Sequence, residues 1–75
     1  MPTPAEIDDE DRRLAELQGL VDRAEAGLRE GRIPAALVED VIAGLRQEAE
    51  RLFPGQKRSF ELIYKPRLLR AATQQ

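Results

Sequence analysis

The chain of 75 residues contains no cysteine, no histidine and no tryptophan. Without cysteine it forms no disulfide bond, and without cysteine or histidine it lacks the ligands of the common structural zinc sites. Nucleophilic acyl transfer needs a general base, usually histidine, beside the nucleophile, and the single serine, Ser59, has no such partner in the sequence. We therefore expect no metal site, no cofactor and no enzymatic activity.

Long apolar runs are also absent, and none approaches the ~20 residues needed to span a membrane. The first residues, Met1 to Pro4, lack the basic residues and the apolar core of a signal peptide, so a cytoplasmic location without membrane association is expected. A chain this short has a marginal core. With disulfides and zinc excluded, additional stability is expected from packing, within the chain or against another chain.

The charges are unevenly distributed along the chain, although the formal net charge is only −2. Residues 1–53 carry thirteen acidic and seven basic side chains, whereas residues 54–75 carry one acid, Glu61, and five bases. An acidic body with a basic tail predicts head-to-tail pairing between copies, or contact between the tail and an anionic surface.

A first helix is predicted from apolar residues that recur at intervals of three and four. These residues are Leu14, Leu17, Val21, Ala24 and Leu28. Gly31 follows the last of them, at the position expected for a left-handed helix C-cap. The sequence Thr3 to Glu6 has the pattern of a capping box, but a helix starting there would place Glu10 within the apolar stripe. We therefore expect the helix from about Asp9 to Arg29, after a flexible acidic segment at residues 1–8.

A second helix is predicted to begin with Pro34 at its first position and to end before Pro54 and Gly55. Its apolar residues fill a sector of roughly 160°, which is wide for a helix with a single neighbour. They are Leu37, Val38, Val41, Ile42, Leu45, Ala49, Leu52 and Phe53. Two contacts are therefore expected, one with the first helix and one with another element or molecule.

The tail at residues 54–75 permits two interpretations. The segment Phe60 to Tyr64 contains residues typical of strands, which favours an extended segment with Phe60, Leu62 and Tyr64 on one face, followed by a short helix after Pro66. The competing interpretation is a helix that starts at Ser59 and is broken at Pro66. In either case the tail is predicted to act as a basic docking segment.

The predicted fold is mainly α: an antiparallel two-helix hairpin at residues 9–53 followed by the tail, with two hairpins dimerising into a four-helix bundle. The candidate self-association residues share the apolar faces of the two helices. They are Leu14, Leu17, Val21, Leu28, Val38, Val41, Ile42 and Leu45.

The predicted function is that of a small protein–protein interaction module, an adaptor, assembly factor or regulator that pairs with itself and with another protein. The candidate partner-binding residues lie in the tail and are Phe60, Leu62, Tyr64, Arg67 and Arg70. The alternative is a nucleic-acid-binding regulator, in which the tail's basic side chains contact phosphates and its aromatic rings stack on bases.

Overall fold

A computed structural model describes residues 3–75, except for the side chains of Ala5 and Ile7. These residues form α1 (Pro4–Arg29), α2 (Val38–Leu52), α3 (Lys57–Ile63) and α4 (Lys65–Thr73), with a 3-10 turn at Ala35–Leu37 before α2. Residues 3–75 contain no β-strand, so the mainly α prediction is confirmed at that level. Within the same residues, no helix is both long and apolar enough to cross a membrane.

The first helix begins at Pro4 rather than near Asp9. The Thr3 hydroxyl accepts a hydrogen bond from the Glu6 amide at 3.2 Å, and the Glu6 carboxylate accepts one from the Thr3 amide at 3.1 Å. This reciprocal capping satisfies amide groups that a helix start leaves unpaired. Glu10 does not interrupt the core, because it is exposed in a part of α1 that extends beyond α2. Met1 and Pro2, the beginning of the predicted flexible segment, lie outside the described residues.

The connection from α1 to α2 turns at Gly31, which adopts the predicted left-handed conformation with φ of 79°. Its amide donates to the Leu28 carbonyl at 3.3 Å, and the Ile33 amide donates to the Gly27 carbonyl at 3.0 Å. The second helix was expected to begin at Pro34, but Pro34 instead precedes the 3-10 turn. The α-helix proper therefore starts at Val38.

One apolar core is built from α1, α2 and the helices of the tail, α3 and α4. Its largest fully buried side chains are Val21 and Leu28 from α1, Ile42 from α2 and Leu68 from α4. Among the described residues, no polar or charged residue is buried in this core. The tail thus supplies a third side of the core to α1 and α2.

The tail is helical, and the prediction of an extended segment over Phe60 to Tyr64 is wrong. The competing interpretation, a helix interrupted near Pro66, describes the structure better. The Tyr64 amide closes α3 by donating to the Phe60 carbonyl at 2.8 Å, and the Leu68 amide opens α4 by donating to the Tyr64 carbonyl at 3.0 Å. Pro66 sits in the first turn of α4, where its missing amide hydrogen costs least.

A physical reason for the error is the absence of a second strand in the chain. An isolated strand would leave its backbone amides and carbonyls without partners, whereas a helix satisfies them locally. The extended interpretation also places Phe60 and Leu62 on one face. In the structure Phe60 is 3% exposed and Leu62 is 70% exposed, as expected for residues two apart on a helix.

Two adjacent leucines in α4 provide a test of tail packing. Leu68 is fully buried and Leu69 is 36% exposed. We predict that Leu68→Ala lowers the free energy of unfolding by about 2–5 kcal/mol, because it leaves a cavity between the three parts of the chain. The control Leu69→Ala should change it by about 1 kcal/mol or less. Urea denaturation of both variants measures the difference, and equal effects would contradict docking of α4 onto the core.

A second test concerns Gly27, which is buried against the loop after α1. A Cβ atom at Gly27 would lie 2.8 Å from Ile33 Cδ1, whereas at Gly19 it would meet nothing within 4 Å. Gly19→Ala should therefore stabilise the fold by about 0.5–1 kcal/mol through helix propensity. Gly27→Ala should lose that gain, and Gly27→Ala/Ile33→Val, which removes Cδ1, should recover part of it. Thermal melts compare the melting temperatures of the three variants. Equal shifts for Gly19→Ala and Gly27→Ala would contradict the packing of Ile33 against Gly27.

Candidate functional site

The predicted self-association residues lie mostly inside the chain. Leu17, Val21, Leu28, Ile42 and Leu45 belong to the core, and Val38 and Val41 are partly buried against it. In the folded chain these side chains pack in a core to which α3 and α4 also contribute. Leu14 is the exception, with 43% of its surface exposed.

The predicted partner-binding residues do not form one surface. Phe60 is buried, Tyr64 is partly buried against the core, and Leu62 points to solvent. Arg67 and Arg70 are exposed on α4. The structure therefore brings Phe60 and Tyr64 together, with ring centroids 5.5 Å apart, and separates Leu62 from them.

An open gap lies between α1 and α3. In the part of the chain that the structure describes, α3 packs mainly on α2 and α4 mainly on α1, while α1 and α3 scarcely touch. The resulting groove has a volume of about 240 Å³. Its lining is almost entirely apolar and consists of Leu14, Leu17, Ala49, Phe53, Gln56, Ser59, Phe60, Ile63 and Tyr64.

The groove has a buried floor and exposed walls. Leu17, Ala49 and Phe60 form the floor and are part of the core. Leu14 on α1 and Ile63 on α3 face each other as walls, and Ile63 is 57% exposed. Large apolar side chains that remain half exposed around a depression are the usual mark of a binding surface.

Ion pairs hold the helices that form the walls. Arg51 of α2 reaches Glu16 of α1 at 3.1 Å and Glu48 at 2.8 Å. Hydrogen bonds from Arg51 to Glu48 and Glu16 raise the pKa of Arg51 above its ordinary value. On the other wall, Arg46 of α2 pairs with Glu61 of α3 at 2.9 Å.

Arg67 ties the C-terminal helix to the acidic first helix. Its guanidinium lies 2.7 Å from Glu25 and 3.3 Å from Asp22, and it also lies 5.8 Å from the centre of the Tyr64 ring. Arg67, one of the predicted partner-binding residues, is thus engaged within the chain and lies over the Tyr64 ring, which lines the groove.

Sequence reasoning missed Phe53, Ala49 and Ile63 as site residues. Ala49 and Phe53 were assigned to the apolar face of the second helix, and nothing in their spacing distinguishes a groove from a core. Ile63 follows Phe60 by three residues and precedes Tyr64, so the helical spacing would have grouped these three residues if the tail had been taken as a helix.

The sequence matches no protein-family model, and no curated protein or solved structure is significantly similar to it.

Changes to the groove wall should leave the fold intact. Ile63→Ser removes a side chain that is more than half exposed, so we predict a change in unfolding free energy of about 1 kcal/mol or less. Phe60→Ala, from the floor one turn earlier, should cost about 3–5 kcal/mol. Denaturation curves followed by circular dichroism compare the two, and a large loss with Ile63→Ser would mean that this residue belongs to the core.

Proposed function

We propose that the chain is a small protein–protein interaction module and that the groove between α1 and α3 is its contact surface. The observation that carries the proposal is the exposure of Leu14 and Ile63 on opposite walls of an apolar depression. Burying these two side chains and the adjacent part of Phe53 against a partner removes apolar surface from water, which is the main driving force of protein association.

Pairing of two hairpins into a four-helix bundle through the full apolar stripes is not part of this proposal. The stripes of α1 and α2 are already covered by the chain's own α3 and α4. At the groove the tail leaves Leu14 of the α1 stripe uncovered, so apolar surface remains there for a second molecule.

The nucleic-acid alternative has less support from the same residues. Stacking on bases needs exposed aromatic rings, and Phe60 is buried while Tyr64 is partly covered. Arg67 is paired with Glu25 and Asp22. The tail's other basic side chains, Lys57, Arg58, Lys65 and Arg70, make no ion pair among residues 3–75, but they lack an exposed aromatic ring beside them for stacking.

Co-purification with matched variants tests the interaction function. Tagged wild-type chain, Ile63→Glu and the control Leu37→Glu should be expressed in the native source together with an untagged copy. Leu37 is also exposed, but it precedes α2, at the far end from the groove. We predict that a protein, or the untagged copy, is retained by wild type and Leu37→Glu and is lost with Ile63→Glu, because a buried unpaired carboxylate opposes binding.

Direct binding of that protein to the purified chain should follow the same order. The same set of proteins retained by all three baits, or none retained by any, would contradict a contact surface at the groove.

A further inference from the structure

A second depression in the surface lies between α1 and α4. Within each helix, a spacing of three, four or seven residues places the lining side chains on one face. They are Glu25, Arg29, Arg67, Arg70, Ala71 and Gln74. Three guanidinium groups from two helices therefore line one depression, which is named here the arginine cavity.

Glu25 holds two of the three guanidinium groups in place. Its carboxylate is only 16% exposed, contacts Arg29 on one side and lies 2.7 Å from Arg67 on the other. Arg29 also donates from Nε to the Gln74 side-chain oxygen at 3.1 Å, which leaves the Gln74 amide nitrogen as a further donor beside the cavity. The donors of the cavity are thus positioned by contacts within the chain, as a preformed site requires.

The charges of the cavity do not balance. Arg70 makes no ion pair among residues 3–75, whereas Arg29 and Arg67 share Glu25, and Arg67 also lies 3.3 Å from Asp22. Three positive charges therefore face two negative ones, and the guanidinium in excess is that of Arg70. A guanidinium offers paired donors that match the two oxygens of one carboxylate.

Helix ends explain part of this cluster but not its convergence. Arg29 and Arg70 lie in the last turns of α1 and α4, where a cation interacts favourably with the helix dipole. Arg67 lies in the first turn of α4, where the dipole disfavours a cation, and yet it lines the same cavity. The dipoles therefore do not account for the third guanidinium.

The arginine cavity borders the apolar groove. Tyr64 lines the groove, the Arg67 guanidinium lies 5.8 Å from the centre of the Tyr64 ring, and Arg67 lines the arginine cavity. A segment that leaves the groove past Tyr64 therefore meets Arg67 and Arg70 next.

We propose that the protein bound in the groove carries an acidic residue beside its apolar anchor, and that this Asp or Glu carboxylate binds in the arginine cavity with Arg70 as its main donor. One carboxylate neutralises the excess charge of the cavity. The inference rests on the proposed function, since it names the chemistry of the partner of the same surface. Burial in the groove supplies most of the affinity, and the carboxylate selects and orients the partner.

Fluorescence anisotropy with a labelled hexaglutamate peptide tests the cavity on the full chain at low salt. Wild type should bind the peptide, and Arg70→Gln should weaken binding by about fivefold or more, because the unpaired guanidinium and its hydrogen bonds are lost. Arg70→Lys should recover only part of the affinity, because an ammonium group cannot form the bidentate pair.

The matched control is Arg58→Gln. It removes the same charge from an exposed residue of α3 that makes no ion pair among residues 3–75 and does not line the cavity. We predict a change in the dissociation constant of about twofold or less. Circular dichroism melts verify that each variant is folded, and Arg70→Lys retains the comparison if Arg70→Gln does not fold.

Three results would overturn the carboxylate site. They are no binding of hexaglutamate to wild type at low salt, an equal loss of binding in Arg70→Gln and Arg58→Gln, and tighter binding of a six-nucleotide oligothymidylate that depends on Arg70. The second result would reveal general attraction to a basic surface, and the third a preference for phosphate.

Co-purification separates this inference from the proposed function. An Arg70→Gln bait should retain less of the protein that wild type retains and Ile63→Glu loses. Equal retention by Arg70→Gln and wild type, with loss in Ile63→Glu, would overturn the carboxylate contact and leave the proposed function standing. Hexaglutamate binding that depends on Arg70, without any protein that depends on Ile63, would overturn the proposed function and with it the assignment of the carboxylate to the partner in the groove.

Discussion

The interruption of the C-terminal helix at Tyr64 is the constraint on which the rest of the structure depends. Pro66 has no amide hydrogen for the Leu62 carbonyl, so α3 and α4 cannot form one regular helix. The two halves therefore follow different neighbours, with α3 on α2 and α4 on α1. This division buries Leu68 and completes the core at one end of the molecule. At the other end it separates α3 from α1 and leaves the groove open, so the same interruption produces both the stability of the chain and its candidate binding surface.

The tail also explains how a chain without disulfides or zinc ligands acquires a core. Phe60, Leu68, Ala71 and Ala72 supply the third side that the wide apolar sector of α2 requires. The core remains small, and Leu14, Leu62, Ile63, Leu37 and Leu69 stay exposed. Single exposed apolar side chains are normal on a protein surface, but Leu14 and Ile63 lie together around one apolar groove, which marks a binding surface. Most of the apolar surface that was expected to require a second molecule is covered within the chain, and part of what remains exposed lines the groove.

Much of this fold follows from the sequence, for identifiable reasons. The spacing of three and four residues correctly placed Leu17, Val21 and Leu28 on one buried helix face. This prediction does not depend on which element covers that face. Gly31 was predictable because a left-handed turn favours glycine. The helical structure of the tail was not predictable in the same way. Phe60 to Tyr64 fits both the strand period and the helical period, and tertiary packing decides between them. The site was missed for the same reason: Ile63 joins Phe60 and Tyr64 only when the segment is helical, and the gap between α1 and α3 depends on where two separate helices dock.

The charged side chains of this unevenly charged chain fall into two groups, those paired within the molecule and those that are not. One part is neutralised within the molecule, where Arg67 pairs with Glu25 and Asp22, and Arg51 joins Glu16 to Glu48. The exposed pairs among these contribute little free energy each, whereas Glu25 is only 16% exposed, so its pair with Arg67 is better shielded from water. The other part is not neutralised: Lys57, Arg58, Lys65 and Arg70 of the tail make no ion pair among residues 3–75. Unpaired surface charge of one sign steers and orients a molecule of the opposite sign, whereas burial of apolar surface supplies most of the affinity. The basic tail and the apolar groove therefore differ in what each could contribute to a contact.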